Sequence, residues 1–492
     1  MNIFFNQIGG DVSSDLCDRI LKKYLGDGQA YIVYWRGDPN FDESKIKKND
    51  FRYDEIFAAD HSNCVFYEDC PPIDTALLET IAEHEPEIIK MFERLSYGQY
   101  SFEARVSKFY AHLRYWNYML DTAKIELAVF TNTPHEGWDY IIYCLCKEKG
   151  IITVFPYFSS VEPYGYFASD IRTQGAGVLE HYNRLAEQYK NTPIEEIELP
   201  HDFLSVFDLQ SGNEDKTPYY MKEVKRTLKI KSTLILLAEK VLRKIRKSLF
   251  KNWFKIIRFY FGKGSGIFQR HYRLRKLRGA YERLAEQADF SQPYIYLPLH
   301  YQPELTSCPM GGIFVRQLLI AEMLSFYLPN GVWIYVKEHP MQTDHCREAQ
   351  LYSDLAALPN VKLVHRNTDT YKLLEHCVAI ASCTGTAGFE GMFMGKPFLV
   401  FGYHINMYAP GAYVIRNNED CKYALDKIFN NGAKHTLKDL KIFLKAVSEI
   451  TSKCMEFNMV NRDSSPNAAE LLYIGLSKVI DSQLTSAECS VS

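Results

Sequence analysis

Between Tyr294 and Tyr408 short apolar runs alternate with helical patterns, and two of the runs end in residues suited to an anion. One run ends in Tyr335-Val336-Lys337-Glu338-His339-Pro340. The other, Val378-Ala379-Ile380, leads into Ser382-Cys383-Thr384-Gly385-Thr386-Ala387-Gly388 and then a helical pattern. Alternation of this kind restricts the chain to a parallel, helix-flanked sheet, because parallel strands need a crossover between them. Small residues at the second strand end let backbone N–H groups approach a ligand, and a helix N-terminus behind them carries partial positive charge. A lysine and histidine opposite a hydroxyl-rich turn form a candidate cradle for a nucleotide phosphate.

The same alternation runs through the first part of the chain. Strands are expected at Asn2–Phe5, Ala30–Trp35, Cys64–Tyr67, Leu127–Thr131 and Ile151–Phe155, with helices at Ile73–Phe92 and Tyr140–Lys149. A chain of 492 residues exceeds one ordinary core. The expected fold is therefore α/β, with two doubly wound Rossmann-like domains facing across a cleft. The expected division is 1–200, a basic helical segment over 201–290, a second domain over 291–455, a helix over 456–482 that could cross back, and a tail over 483–492.

In the second domain, strands are expected at Tyr294–Leu297, Val332–Val336, Val361–Val364, Val378–Ala381 and Phe398–Phe401. Helices are expected at Phe314–Leu328, Thr370–Cys377 and Gly388–Met394. Ligands of such sheets bind at the carboxyl ends of the strands, which singles out a short set of residues. In the second domain these are Lys337, His339, Pro340, Ser382, Thr384, Gly385 and Thr386, with His300 and Gln302 in the loop after the first strand. Glu390, in the helix behind the turn, is a candidate for the ribose hydroxyls or for the helix dipole. In the first domain the strand ending at Phe130 runs into Thr133-Pro134-His135-Glu136-Gly137-Trp138-Asp139. Glu136 is the favoured general base, with Asp139 and His135 next and Asp11 outside them. The alternative is a helix start, with Asn132 or Thr133 as cap and Glu136 completing a capping box.

Charge is concentrated. The net charge is −3, yet Lys222 to Arg278 holds nineteen Lys/Arg against Glu223 and Glu239. At helical periodicity Leu242, Ile245, Leu249, Trp253 and Ile256 share one face. Lys244, Lys247, Lys251, Lys255 and Arg258 share the other, and only Arg246 intrudes on the apolar side. Residues 241–261 thus suit an anionic membrane surface. Nucleic acid is disfavoured, since the aromatics do not interleave with the charges as a stacking platform would. The twelve cysteines form no CxxC pair, no run approaches the roughly 20 apolar residues of a span, and no Asp-x-Asp motif offers a metal site. A peripheral cytoplasmic protein is expected.

Three stretches together are similar to the capsular polysaccharide biosynthesis family: Leu297–Glu304, Val336–Pro340, and Thr384–Glu390 followed by Gly395-Lys396-Pro397. That family contains Kdo transferases and resembles bacterial sialyl- and polysialyltransferases of the GT-B fold. The resemblance implies a metal-independent inverting glycosyltransferase with no cofactor beyond its nucleotide-sugar donor, acting on a glycan or lipid-linked glycan. It implies Glu136 as base, His339 at the nucleotide phosphate, and Ser382 with Thr384 on the phosphate's other side. A CMP-linked donor such as CMP-Kdo follows from the resemblance, with UDP-, GDP- or CDP-linked donors as alternatives.

Overall fold

The shortest apolar runs become strands covered on both faces, as parallel sheets require. Ile3, Phe4 and Phe5 of β1 (Asn2–Asn6) are all fully buried. The structure, a computed structural model, describes residues 1–8, 11–33, 43–49, 58–95, 100–212, 272–302, 304–344, 346–430, 432, 434–453 and 467–491. The basic segment 241–261 lies outside the described residues.

The first sheet comprises β1, β2 (Ala30–Val33), β3 (Ile46–Asn49), β4 (Ile125–Phe130), β5 (Ile152–Phe158) and β6 (Gly165–Ala168) in the order β3-β2-β1-β4-β5-β6. All its pairings are parallel except β5 with β6. The second comprises β7 (Ala285–Glu286), β8 (Tyr294–Pro298), β9 (Trp333–Lys337), β10 (Val361–Val364), β11 (Ala379–Ser382), β12 (Phe398–Val400) and β13 (Ala412–Val414). Its order is β13-β12-β11-β8-β9-β10-β7, parallel throughout. The chain is an α/β protein of two Rossmann-like domains, the GT-B arrangement. In each sheet the chain moves outward one way and then returns to build the other side. The direction reverses between β1 and β4 in the first sheet, and between β8 and β11 in the second.

Several expected elements are corrected. Cys64–Tyr67 is a series of turns, with Phe66 at a positive φ of 64° that a strand cannot hold. The expected helix Ile73–Phe92 is divided into Thr75–Ile81 and Glu85–Leu95 by a 3-10 turn at Ala82–His84. Pro86 in the first turn of the second piece has no N–H to continue the earlier ladder, which suits a fresh helix start. The expected helix from Phe314 begins at Leu318, after a 3-10 turn over Gly312–Val315. The one expected from Gly388 begins at Thr386.

Domain limits also shift. A helix over 272–284 lays Leu277 and Tyr281 in the second domain's core, and the strand after it pairs β7 with β10, so 272–286 belongs to that domain and not to the linker. The helix Leu437–Ile450 packs on Val178–Gln188 and His201–Ser211. Its Lys438, Lys441 and Lys445 each donate, at 2.8 Å, to the carbonyls of Lys190, Ile194 and Glu198. The last helix, Ala468–Val491, continues through the stretch expected to be a tail. Its Leu472, Leu476 and Ile480 join Ile3, Leu16 and Cys17 in the first domain's core. Gly475 permits that contact, since a Cβ there would meet the Phe167 ring at 1.9 Å.

Candidate active site

The candidate residues gather where each sheet reverses direction. In the first domain Thr131 Oγ1 lies 3.1 and 3.0 Å from the Asn6 and Gln7 carbonyls, tying the end of β4 to that of β1. The Gln7 amide then donates to Glu136 Oε2 at 3.1 Å, and the Trp138 indole approaches the same oxygen at 3.4 Å. Glu136 is partly exposed, and its second oxygen takes no bond from the described residues.

Its neighbours serve the turn. The buried Asp139 carboxylate accepts from His135 N at 3.1 Å and from Glu136 N at 2.7 Å, and His135 Nδ1 donates to Thr133 O at 2.5 Å. Asp139 and His135 are therefore positioned as scaffold, a correction to their place as alternative bases. The capping-box reading is also corrected: the cap position is Gly137, at φ 80° with no side-chain cap bond. A Cβ there would lie 3.1 Å from the Phe92 ring, and the left-handed backbone disfavours any other residue. The glycine thus lets the chain reverse immediately after the carboxylate. Asp11 opens the helix Asp11–Tyr24, and its side chain lies outside those described.

In the second domain His300, after β8, meets the turn after β11. Its Nε2 lies 2.8 Å from Ser382 Oγ and accepts from Thr384 N at 3.3 Å. Gly385 N donates to Ser382 Oγ at 3.3 Å. Burial pushes the His300 pKa down to about 3, so the imidazole is neutral; with Nε2 accepting, the Ser382 hydroxyl is the donor between them. Thr384 Oγ1 donates to Thr306 O at 2.7 Å. Both hydroxyls expected to hold a phosphate directly are thus engaged in shaping the turn. Gly385 and the exposed Thr386 are left at a helix start that no side chain caps. Glu390 is buried in that helix's second turn, not its first.

Lys337 is corrected in the same way. Its buried ammonium donates to Thr368 O at 2.6 Å and Thr370 Oγ1 at 2.7 Å, bracing the loop after β10. Among the described residues His339 keeps a free donor. Its Nδ1 accepts from Met341 N at 3.2 Å, which leaves the ring proton on Nε2. Burial, then the positive charges of Arg347, Arg366 and Lys337, hold its pKa down to about 4. Pro340 contributes its carbonyl, which accepts from Arg366 at 2.9 Å. Gln302 is structural: its backbone N–H donates to Gln342 Oε1 at 2.9 Å, and its side-chain amide donates to Val315 O at 2.7 Å.

Four contributors escaped the sequence reading. Glu338, within the Lys337–Pro340 motif itself, forms a buried ion pair with Arg347 at 3.0 Å. Glu338 also accepts from His339 N at 2.7 Å, and Arg347 donates to His300 O at 2.7 Å, so one pair holds both histidines. Gln7 gave no signal beyond following a strand. Glu87, on the helix Glu85–Leu95, sits where the domains meet: Cys308 Sγ donates to its carbonyl at 3.4 Å, and burial raises its carboxyl to about 7. Further along this seam Gln174 donates to Tyr403 O and Ser160 to Asn406 Oδ1, both at 2.9 Å. The loops meeting the first domain here follow β8 and β12, so the two domains approach through the carboxyl ends of the second domain's strands. Among the described residues no group of three or more His, Cys, Asp or Glu is arranged to hold a metal ion.

Two α/β domains with paired strand-end residues at both reversals define a GT-B-type protein. Residues 311–409 match the family model described as capsule polysaccharide biosynthesis protein, which bears out the resemblance over Val336–Pro340 and Thr384–Pro397, while Leu297–Glu304 lies outside the match. No curated protein matches the chain. Among solved structures, Methanocaldococcus jannaschii UDP-GlcNAc 2-epimerase, in complex with UDP-GlcNAc and UDP, is 10% identical with a TM-score of 0.25, covering 91% of this chain and 100% of its own. Thermosulfurimonas dismutans KpsC, a β-Kdo 2,7 transferase, is 10% identical with a TM-score of 0.24, covering 74% and 96%. Anabaena HepE, in complex with UDP and glucose, is 11% identical with a TM-score of 0.26, covering 99% and 100%.

Proposed function

We propose that this chain is an inverting glycosyltransferase of surface-glycan synthesis, acting in capsule or lipopolysaccharide assembly. One observation carries the reading: each sheet reverses direction beside a side-chain pair, Gln7 with Glu136 in one domain and His300 with Ser382 in the other. Reversal points are where open α/β sheets take ligands. Glu136 would remove the proton from an acceptor hydroxyl on the first domain. The second domain would hold the nucleotide, with His339 Nε2–H and the N–H group of Thr386 facing the leaving phosphate as charge develops. The motif resemblance favours a CMP-linked 2-keto sugar acid such as Kdo, with UDP-, GDP- or CDP-linked donors, or glycerol-phosphate transfer, as alternatives.

His339→Ala is expected to weaken nucleotide binding by about tenfold or more, the loss of one charge-assisted hydrogen bond, and to depress transfer. Calorimetry with CMP and UDP reads the first effect, and a thermal-shift panel of CMP, UDP, GDP and CDP identifies the nucleotide. Full affinity and normal transfer in the variant would remove His339 from the site.

The acceptor, a glycan or lipid-linked glycan, would be met at a membrane surface. Among the described residues no helix is long and apolar enough to cross a membrane. The proposed attachment is the basic, amphipathic sequence of 241–261, in which each cation near an anionic surface is worth about 1 kcal/mol. Changing Lys244, Lys247, Lys251, Lys255 and Arg258 together to Gln should release the protein from anionic liposomes in flotation, with transfer to a short soluble acceptor retained. Equal flotation of both proteins would end the membrane role.

A further inference from the structure

The cations nearest the sequence motif are already engaged: Lys337 with Thr368 and Thr370, Arg347 with Glu338. Two others are not. Arg366, two residues past β10, donates only to the carbonyls of His339 and Pro340, at 3.2 and 2.9 Å. Arg278 lies on the helix over 272–284, half-buried, and its buried Nε has no hydrogen-bond partner. One turn on, the Tyr281 hydroxyl lies 2.6 Å from Val364 O and 3.1 Å from Val336 O, and accepts from Glu338 N at 3.0 Å. The helix is thereby pinned across the carboxyl ends of β9 and β10, and Arg366 follows the second of these strands by two residues.

The carboxylates carried by the same elements have other partners. Glu282, one turn beyond Arg278 and correctly spaced to pair with it, instead meets His365 at 3.1 Å. Glu338 is held by Arg347, Asp344 by Arg273 at 2.9 Å, and Asp369 caps its own helix through Tyr371 N and Lys372 N. Neither Arg278 nor Arg366 has a carboxylate partner among the described residues. Burial and the neighbouring Arg366 together lower the Arg278 pKa, the expected strain of two like charges with no counter-ion. Guanidinium groups match phosphate and carboxylate oxygens in a planar fork, which a lysine does not.

We infer that Arg278 and Arg366, carried at the carboxyl ends of β9 and β10 next to the His339-Pro340 turn, form a site for a second negative charge on the nucleotide donor, next to the phosphate attached to the nucleoside. This rests on the donor-binding reading of the second domain and adds to it. A nucleoside diphosphate sugar supplies that charge as a second phosphate. A CMP-linked sugar acid supplies it as a carboxylate.

The test is calorimetry on the full chain with UMP, UDP, CMP, CDP and a CMP-linked sugar acid, repeated with Arg278→Gln and Arg366→Gln. The wild type should prefer one of the ligands bearing a second anionic group over its monophosphate by about tenfold or more, as one charge-assisted contact provides. UDP over UMP, or CDP over CMP, assigns the charge to a second phosphate; the sugar acid over CMP assigns it to a carboxylate. Both variants should reduce that preference below about threefold, with monophosphate affinity nearly unchanged in Arg278→Gln. Arg278 has no described partner to lose, so its variant should keep its unfolding midpoint and remains informative if Arg366→Gln misfolds. Nucleotide binding with no preference for a second charge, or a preference that survives in Arg278→Gln, overturns this inference and leaves the transferase reading standing. Absence of any nucleotide binding overturns both.

Discussion

Glu136→Gln is expected to lower turnover by about 10²–10⁴-fold, the usual contribution of a positioned general base, with nucleotide affinity nearly unchanged. The amide keeps the shape and can still face Gln7 and Trp138, which approach Glu136 at 3.1 and 3.4 Å, but it cannot take a proton. Nucleotide binding is proposed for the other domain and should not register the change. Asp139→Asn provides the contrast. That carboxylate supports the N–H groups of His135 and Glu136, so its loss should act on stability first and on rate through a displaced Glu136. Steady-state rates and calorimetry on the two variants separate the roles. Near-normal turnover in Glu136→Gln alongside a collapse in Asp139→Asn with unchanged stability would move the base to Asp139.

Arg347→Met should destabilise the second domain by about 3–5 kcal/mol, the cost of leaving one partner of a buried ion pair uncompensated. Glu338 and Arg347 are both almost fully buried, and Glu338 would retain only the Tyr352 hydroxyl at 2.5 Å and the His339 N–H. The change also removes the donor to His300 O, so the two histidines should lose their fixed spacing along with the stability. Pairing it with Glu338→Gln should recover part of the loss, because the double variant buries no lone charge. Denaturant unfolding monitored on the single and double variants measures both quantities. A single-variant loss under about 1 kcal/mol would show that the pair is not a structural support.

Most strands of both sheets were legible because they are short runs of apolar residues bounded by polar turns; β3, Ile46-Lys47-Lys48-Asn49, and the three-residue β13 lack such a run and were not expected. The exceptions have local causes. Cys64–Tyr67 has a strand's composition but wraps its side chains around a turn, as the positive φ of Phe66 records. β7 is two residues long and β6 runs antiparallel, so neither carries a run long enough to register. The Glu136-Gly137 step and the His339-Pro340 step were visible for a related reason: glycine and proline mark abrupt changes of backbone direction at strand ends.

By itself the sequence determined that the chain builds two helix-flanked parallel sheets and that chemistry-bearing residues follow their strands, since both properties reside in local pattern. The tertiary structure alone decided which of those residues remain available. Lys337, Ser382 and Thr384 are all chemically suited to a phosphate, yet each is satisfied by a group far along the chain: Thr368, His300 and Thr306. Arg278, read as part of a charged segment, instead lies on a helix that Tyr281 anchors to the ends of β9 and β10. A buried polar group must find a partner, and the fold that brings distant strands side by side chooses that partner. What remains unpartnered is therefore a property of the folded chain, beyond the reach of residue type and spacing.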